Sequence, residues 1–291
     1  MRLTWVMIAL AAAGTANAGT RFDRTVAAEA KGVVDISNTS GKVEVAGWDR
    51  NEVAVHGDLE EGVERVDVNT EGDHTIVKVV LRQHNSDDGD AILRIQVPRA
   101  SELHLSTVSA DQRIGGVSGV QRLNAVSGEV ITEIAAADLE VKTVSGDVHI
   151  KGHGDPARLH VSTVSGDVRL ERGAGELEAN SVSGNFVVSF DTTRAVHART
   201  TSGDFHFEGK LARGASFDVT SVSGDLNVRA PAEGGYAYDA SSFSGDITDC
   251  FNAHPDKDGP VGHSLSGSRG EGGGHLRLRT MSGDIQLCDR P

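Results

Sequence analysis

The chain of 291 residues carries 28 Lys and Arg against 42 Asp and Glu, a formal charge of −14, with 35 Gly, 4% aromatic residues and two Cys. That acidity argues against nucleic acid and against anionic lipid surfaces as electrostatic partners. Abundant Gly, few aromatics and apolar residues that recur at regular intervals describe a turn-rich β protein and not a disordered chain.

Residues 1–18 have the pattern of a signal peptide. Arg2 supplies a basic start, Leu3–Ala13 form an apolar run, and Ala16-Asn17-Ala18 has the small-x-small form of a cleavage site. The run is too short to span a bilayer, which takes about 20 apolar residues. The mature chain is therefore expected to begin at Gly19, to carry a charge of −15 once Arg2 is removed, and to be exported. No cysteine lies near the cleavage point, so a lipoprotein anchor is not expected. No later segment is apolar for long enough to cross a membrane as a helix. A periplasmic or cell-surface location follows.

Residues 19–100 read as an irregular N-terminal β cap, continuous with what comes after. VVDISNTSGKVEVAG (33–47) sets Ile36, Val43 and Val45 inward around Ser40-Gly41. VDVNTEGDHTIVKVVL (66–81) reads as two strands around Glu71-Gly72, HNSDDGD (84–90) as a polar loop, and ILRIQVP (92–98) as a strand closed by Pro98. A stack of repeats needs such a cover over its apolar end.

From residue 101 to 291 one frame repeats. A Ser-Gly step or a near-copy stands at Ser109, Ser127, Ser145, Ser165, Ser183, Ser202, Ser223, Ser244 and Ser282, at gaps of 18, 18, 20, 18, 19, 21, 21 and 38. Six and four residues before the serine come pairs such as Leu139 and Val141 or Leu159 and Val161. Three and five after it come Val148 and Ile150, or Val168 and Leu170. Both flanks alternate apolar with polar, the mark of strands buried on one face. Between them lies a bend: Gly128, Gly146, Gly166, Gly184, Gly203, Gly224, Gly245 and Gly283 follow their serines. Glu129, Asp147, Asp167, Asn185, Asp204, Asp225, Asp246 and Asp284 come next. Gly- and Pro-containing segments such as KGHGDPA (151–157) and ERGAGE (171–176) mark a second bend. One period is strand, bend, strand, bend. The expectation is an all-β, two-layered parallel β-solenoid of about 18–21 residues per turn, with its Ser109–Ser282 part about 40 Å long at about 4.8 Å per turn. The rival, a sandwich of hairpins, gives no reason for the same residue types at the same offset in every unit.

The 38-residue gap contains FNAHPDKDGPVGHSLSGSRGEGGG (251–274), read as a loop insertion. Cys250 and Cys288 both stand six residues after their serines. If 251–274 is an insertion, their strands are neighbours and the α-carbons lie about 4.8 Å apart, within disulfide range. If a further turn formed around Ser266-Gly267, about 10 Å would separate them. Lys151, Glu171 and Arg229 occupy the same offset elsewhere, so both cysteines are expected to face solvent.

Tandem L-x-V-x-T-V-S-G-D-[VI]-x-[VI] units behind a signal peptide resemble the bacterial DUF4097 family over residues 33–288. Its members are often labelled adhesins and are related to toast-rack domains. The resemblance implies a β-solenoid of the cell envelope and no catalytic residues. Gln112 and Asp249 at inward offsets, and Ala110 in place of the motif glycine, depart from the pattern.

The acid two after each serine would stack into a column. That column reads either as a row of calcium ligands or as turn-capping groups splayed into solvent. One acid per turn is too few ligands for calcium, so no metal and no cofactor is expected. No Gly-x-Ser-x-Gly elbow occurs, since Gly116-Val117-Ser118-Gly119 lacks the second spacing. His149, His160 and His206 fall on polar offsets, and Trp48 suits a core or cap role better than sugar stacking. The sequence reads as a non-catalytic envelope scaffold or adhesin-like binding protein. It would display Thr, Ser and Asp ladders along its edges to a protein or glycan partner. The alternative is a polysaccharide hydrolase or lyase with a shallow groove site, which needs carboxylates converging in a cleft.

Overall fold

A computed structural model describes residues 20–82, 89–251, 256–257 and 262–289. The signal peptide expected at 1–18, most of the loop at 84–90 and part of the insertion at 251–274 lie outside the described residues.

The repeating unit is clearest in the middle of the chain. Leu139–Thr143 runs up to the bend at Ser145, and Val148–Gly152 leaves it. Leu139 and Val141 turn inward and are buried, as do Val148 and Ile150, while Glu140, Lys142, His149 and Lys151 point outward. The next turn lies parallel and in register: Leu139 pairs with Leu159, Val141 with Val161, Val148 with Val168 and Ile150 with Leu170. Pre-serine strands thus build one sheet and post-serine strands a second, and their inner faces close on a single apolar core. The chain is a two-layered parallel β-solenoid. Like stacks on like because each inward side chain meets its counterpart one rung away, which is what a period of constant residue types permits. In the middle of the stack the core widens into aromatics: Phe207 meets Phe217 at 4.8 Å edge-on, and Phe186 meets Phe205 at 6.1 Å.

The stack is not threaded in sequence order at its ends. The turn formed by Val33–Trp48 lies between the strands His74–Leu81 and Ala91–Pro98 on one side and Glu102–Gly115 on the other. Ser40 sits opposite Ser109, so residues 33–47 carry the repeat frame within the N-terminal part of the chain. Beyond it the pairing turns antiparallel, in the hairpin Val63–Glu71 with His74–Leu81 and in the strands Glu52–Leu59 and Thr20–Ala27. At the other end the last turn, Gly274–Thr280 and Ile285–Cys288, slots between the turn of Ser223 and the turn of Ser244.

The segment 251–274 is not all loop. His263–Arg269 is a strand that runs antiparallel to Tyr236–Ser242, with Leu265 buried opposite Ala240. Ser266-Gly267 therefore lies on a covering antiparallel strand, which also pairs with Asp256–Lys257, and builds no additional solenoid turn. With no turn between them, Cys250 and Cys288 are disulfide-bonded at a Cα separation of 4.9 Å. The expected exposure of both is corrected by the threading. Cys288 is 6% exposed, with the disulfide to Cys250 on one side and Arg229 of the adjoining turn on the other, and of the two only Cys250 faces solvent. Unreduced protein should show no alkylatable thiol by mass spectrometry. Cys288→Ser should cost roughly 3–4 kcal/mol on loop-entropy grounds, read as a lower denaturation midpoint in the absence of reductant.

The two inward polar residues are accommodated differently. Gln112, 1% exposed, donates its amide to the Thr107 hydroxyl at 2.9 Å and to the Asn124 carbonyl at 2.7 Å. Asp249 is half-buried and accepts from the Phe251 amide at 2.6 Å.

Candidate functional site

The bend T-V-S-G-D at 163–167 shows what each letter does. Thr163 is buried, and its hydroxyl accepts from the Gly166 amide at 2.9 Å. Val164 points outward. The Ser165 amide donates to the Val144 carbonyl of the preceding turn at 2.9 Å, and its hydroxyl reaches the same oxygen at 3.3 Å. A Cβ on Gly166 would stand 2.0 Å from the Gly146 carbonyl oxygen, so only glycine allows the two bends to stack. The Asp167 amide donates to Asp147 Oδ1 at 2.9 Å, and Asp167 Oδ1 in turn accepts from the Asn185 amide at 2.9 Å.

The other turns repeat this clamp. Gly146, Gly184, Gly203, Gly224, Gly245 and Gly283 each donate to a hydroxyl three residues back, on Thr143, Ser181, Thr200, Ser221, Ser242 and Thr280. Ser127, Ser145, Ser183, Ser202 and Ser223 anchor their hydroxyls on the carbonyl one turn earlier. Ser244 and Ser282 do so through their amides. The acid column continues as Asp204 on Asn185, Asp225 on Asp204, Asp284 on Asp225 and Asp246 on Asp284, all at 2.8–2.9 Å. Glu129 donates its amide to Asp111 in the same way at 3.0 Å. The motif recurs because every turn must be fastened to the last.

Two points correct the reading from sequence. The motif threonines are buried, so they are not displayed. The exposed ridge consists of the valine position, the serine and the acid. Residues such as Val126, Val164 and Val222 are nearly half exposed, an apolar column on the outward offset of the pre-serine strands.

The acids serve as backbone acceptors. Asn185 holds the same place, its side-chain oxygen accepting from Asp204 while its amide donates to Asp167 at 3.0 Å. An oxygen is needed there and a charge is not. Among the described residues no three His, Cys, Asp or Glu are grouped to hold a metal ion. Asp167→Asn should leave stability within about 0.5 kcal/mol. Asp167→Ala strands the Asn185 amide and should cost about 1–2 kcal/mol. Micromolar calcium should not move the thermal melt of either variant or of the parent.

Outside the ridge, charges pair across neighbouring turns: Arg122 with Glu140 at 3.8 Å, His160 with Glu178 at 3.3 Å, Arg277 with Asp218 at 3.7 Å. His149 is exposed and His206 half-buried on the outer faces. Trp48 donates its indole N–H to the Glu52 carbonyl at 2.8 Å and carries the Arg50 guanidinium 5.1 Å above its ring, a turn-fastening role.

One shallow depression lies on the outside of the post-serine sheet, where the small residues Ala46 and Gly115 leave room between Glu44, Arg94, Arg113 and Glu133. Lys42 lies 2.6 Å from Glu44 and Arg94 lies 3.6 Å away. The hydrogen bond from Lys42, with further help from Arg94 and Arg113, holds the Glu44 carboxyl below the usual range. Arg94 also reaches Asp58 at 3.1 Å, and His56 pairs with Asp23. A carboxylate so held is a poor general acid, whereas a mixed patch of paired charges over an apolar floor suits binding.

A structure of a "putative lipid binding protein" from Parabacteroides distasonis ATCC 8503 superposes with a TM-score of 0.53 at 13% identity, covering 92% of this chain and 97% of its own. A "putative adhesin" from Parabacteroides merdae ATCC 43184 gives 0.49 at 10% identity, over 92% and 96%. One from Bacteroides fragilis NCTC 9343 gives 0.43 at 13%, over 94% and 100%. No curated protein matches. The family description Toastrack DUF4097 matches residues 25–194 and 190–288, nearly the whole solenoid. The chain belongs to the Toastrack DUF4097 family.

Proposed function

We propose that the chain is a non-catalytic binding scaffold of the cell envelope, exported by the segment at 1–18 and resident in the periplasm or at the cell surface. The observation that carries this reading is the use of the repeat. Its hydroxyls, glycines and carboxylates are committed turn after turn to fastening the stack. The product is a stiff body with two regular outer faces and, among the described residues, no group of side chains converging on a reacting atom. A protein or glycan is the partner such faces suit, with the depression around Arg94 and Arg113 as the place of contact. The disulfide supports an oxidising compartment. Among the described residues no helix is long and apolar enough to cross a membrane.

The test joins cell fractionation to a pull-down from envelope fractions with the chain starting at Gly19. The scaffold reading expects the protein outside the cytoplasm and a saturable partner whose capture falls at least tenfold with Arg113→Glu. A cytoplasmic protein with free thiols, or capture indifferent to every outer-face substitution, would sink it.

A further inference from the structure

Three columns run side by side along the serine ridge, and the clamp accounts for only one of them. At the crest lies the apolar column: Val126, Val164 and Val222 are 45–47% exposed, and Phe243 at the far end is 59% exposed. On the post-serine side stand the acids; Glu129 and Asp246 have a histidine nearby, while Asp147, Asp204 and Asp284 have no cationic partner among the described residues. On the pre-serine side, three residues before each serine, no acid occurs at all. That position holds Lys142, Arg199 and Arg279, all exposed, and otherwise Ser, Asn or Thr. Arg199 and Arg279 have no carboxylate partner among the described residues, whereas Lys142 lies against Glu140 of its own strand. The outer faces pair their charges within the molecule, whereas the ridge leaves donors on one flank and acceptors on the other.

We propose that this ridge is a self-association edge on which a second copy of the chain docks, related by a two-fold axis parallel to the stack. The period argues for a second copy. An identical ridge repeats at the same rise of about 4.8 Å, so the apolar columns stay in step along their length. A helix laid along the ridge, with a pitch of about 5.4 Å, or a strand, with a two-residue repeat of about 6.8 Å, drifts out of step.

Charge selects the axis. A rotation about the stack direction exchanges the two faces, so the donor flank of one copy lies beside the acid flank of the other. Turn by turn, Lys142 then meets Asp147 of the second copy, Arg199 meets Asp204, and Arg279 meets Asp284. At most other turns a Ser, Asn or Thr meets an acid. An axis across the stack sets acid against acid, which is repulsive. An anionic membrane is rejected on the same ground.

The strip is narrow. A contact about 40 Å by 10 Å buries roughly 800 Å² in total, the range of weak and transient association. Cross-linking is therefore the suitable measurement, and it does not depend on where the chain resides or what its faces bind. Val126→Cys, Val164→Cys and Val222→Cys are made singly in the disulfide-intact protein and oxidised at about 100 µM, with His197→Cys on the outer face as control. The parallel axis brings each crest position against itself, so all three should form disulfide dimers at least tenfold faster than the control. Adding Asp204→Lys and Asp147→Lys to Val164→Cys should remove most of that advantage, with the thermal melt showing that the fold persists.

An axis across the stack would cross-link only the crest position nearest it, which overturns the assignment of the axis. Cross-linking of all four at one rate, or of none, overturns the edge itself. A failed partner pull-down would leave this result untouched, and a ridge that stays monomeric would leave the outer faces free to bind as proposed above.

Discussion

Gly166→Ala should destabilise the protein by several kcal/mol although it adds one methyl group in a bend at the surface. The added carbon would lie 2.0 Å from the Gly146 carbonyl oxygen and 2.7 Å from its carbon, both backbone atoms that cannot swing away. Relief requires the two turns to part by about an ångström. Flanking that point, the Ser165 amide is bonded to Val144 and the Asp167 amide to Asp147, so parting them weakens two hydrogen bonds at once. Each is worth about 1 kcal/mol net, and strain at a site that cannot relax adds to the loss. The neighbouring Val164→Thr should do nothing, because Thr201 already stands at that place in another turn. Chemical denaturation of the three proteins gives the comparison. A Gly166→Ala midpoint equal to the parent's would mean that the turns are not stacked glycine on glycine.

The same clamp shows why so much of the fold could be read from the sequence and why some of it could not. Strand, bend and inward positions were legible because each turn repeats the same solution at nearly the same spacing. A residue such as Val168 declares its orientation through Val148 and Leu226 as well as through its own neighbours. The threading at the ends was hidden for the same reason. When every turn offers the same edge, the turn of Ser282 fits as well between those of Ser223 and Ser244 as after them, and nothing local in the sequence marks the difference. The cysteines carried the only hint, since equal offsets require adjacency and leave the order open.

At the ridge, sequence reasoning failed on polarity. Thr163 looked like a displayed hydroxyl and is buried, because its oxygen is satisfied by an amide three residues on. Val164 is exposed because it falls on the outward offset of the same alternation that turns Leu159, Val161 and Thr163 inward. Gln112 breaks the inward pattern for a related reason, finding both of its hydrogen-bond acceptors inside the stack.

Val168→Asp should be the more damaging of the two core-side tests and should show a pH dependence that identifies its cause. Val168 is 2% exposed, stacked between Val148 and Phe186 in the post-serine sheet. The post-serine inward positions of the flanking turns are Val148, Ile150, Phe186 and Val188, all buried and apolar, so no cation stands among them to meet a carboxylate, and the buried Thr163 hydroxyl across the bend is already bonded to the Gly166 amide. Burial disfavours the charged form and raises the folded-state pKa of the new acid above its unfolded value of about 3.9. Above pH 4 the unfolded chain therefore binds fewer protons than the folded one, and stability falls as pH rises until the folded pKa is passed. The expected loss is about 3–5 kcal/mol at pH 7.5 and visibly less at pH 5. Val168→Asn removes the same packing and buries a polar group that does not titrate, so its loss relative to the parent should be the same at both pH values. Melts of the three proteins at the two pH values separate the terms. An Asp variant that tracks the Asn variant at both would place position 168 in solvent, and the inward register of the whole post-serine sheet would fall with it.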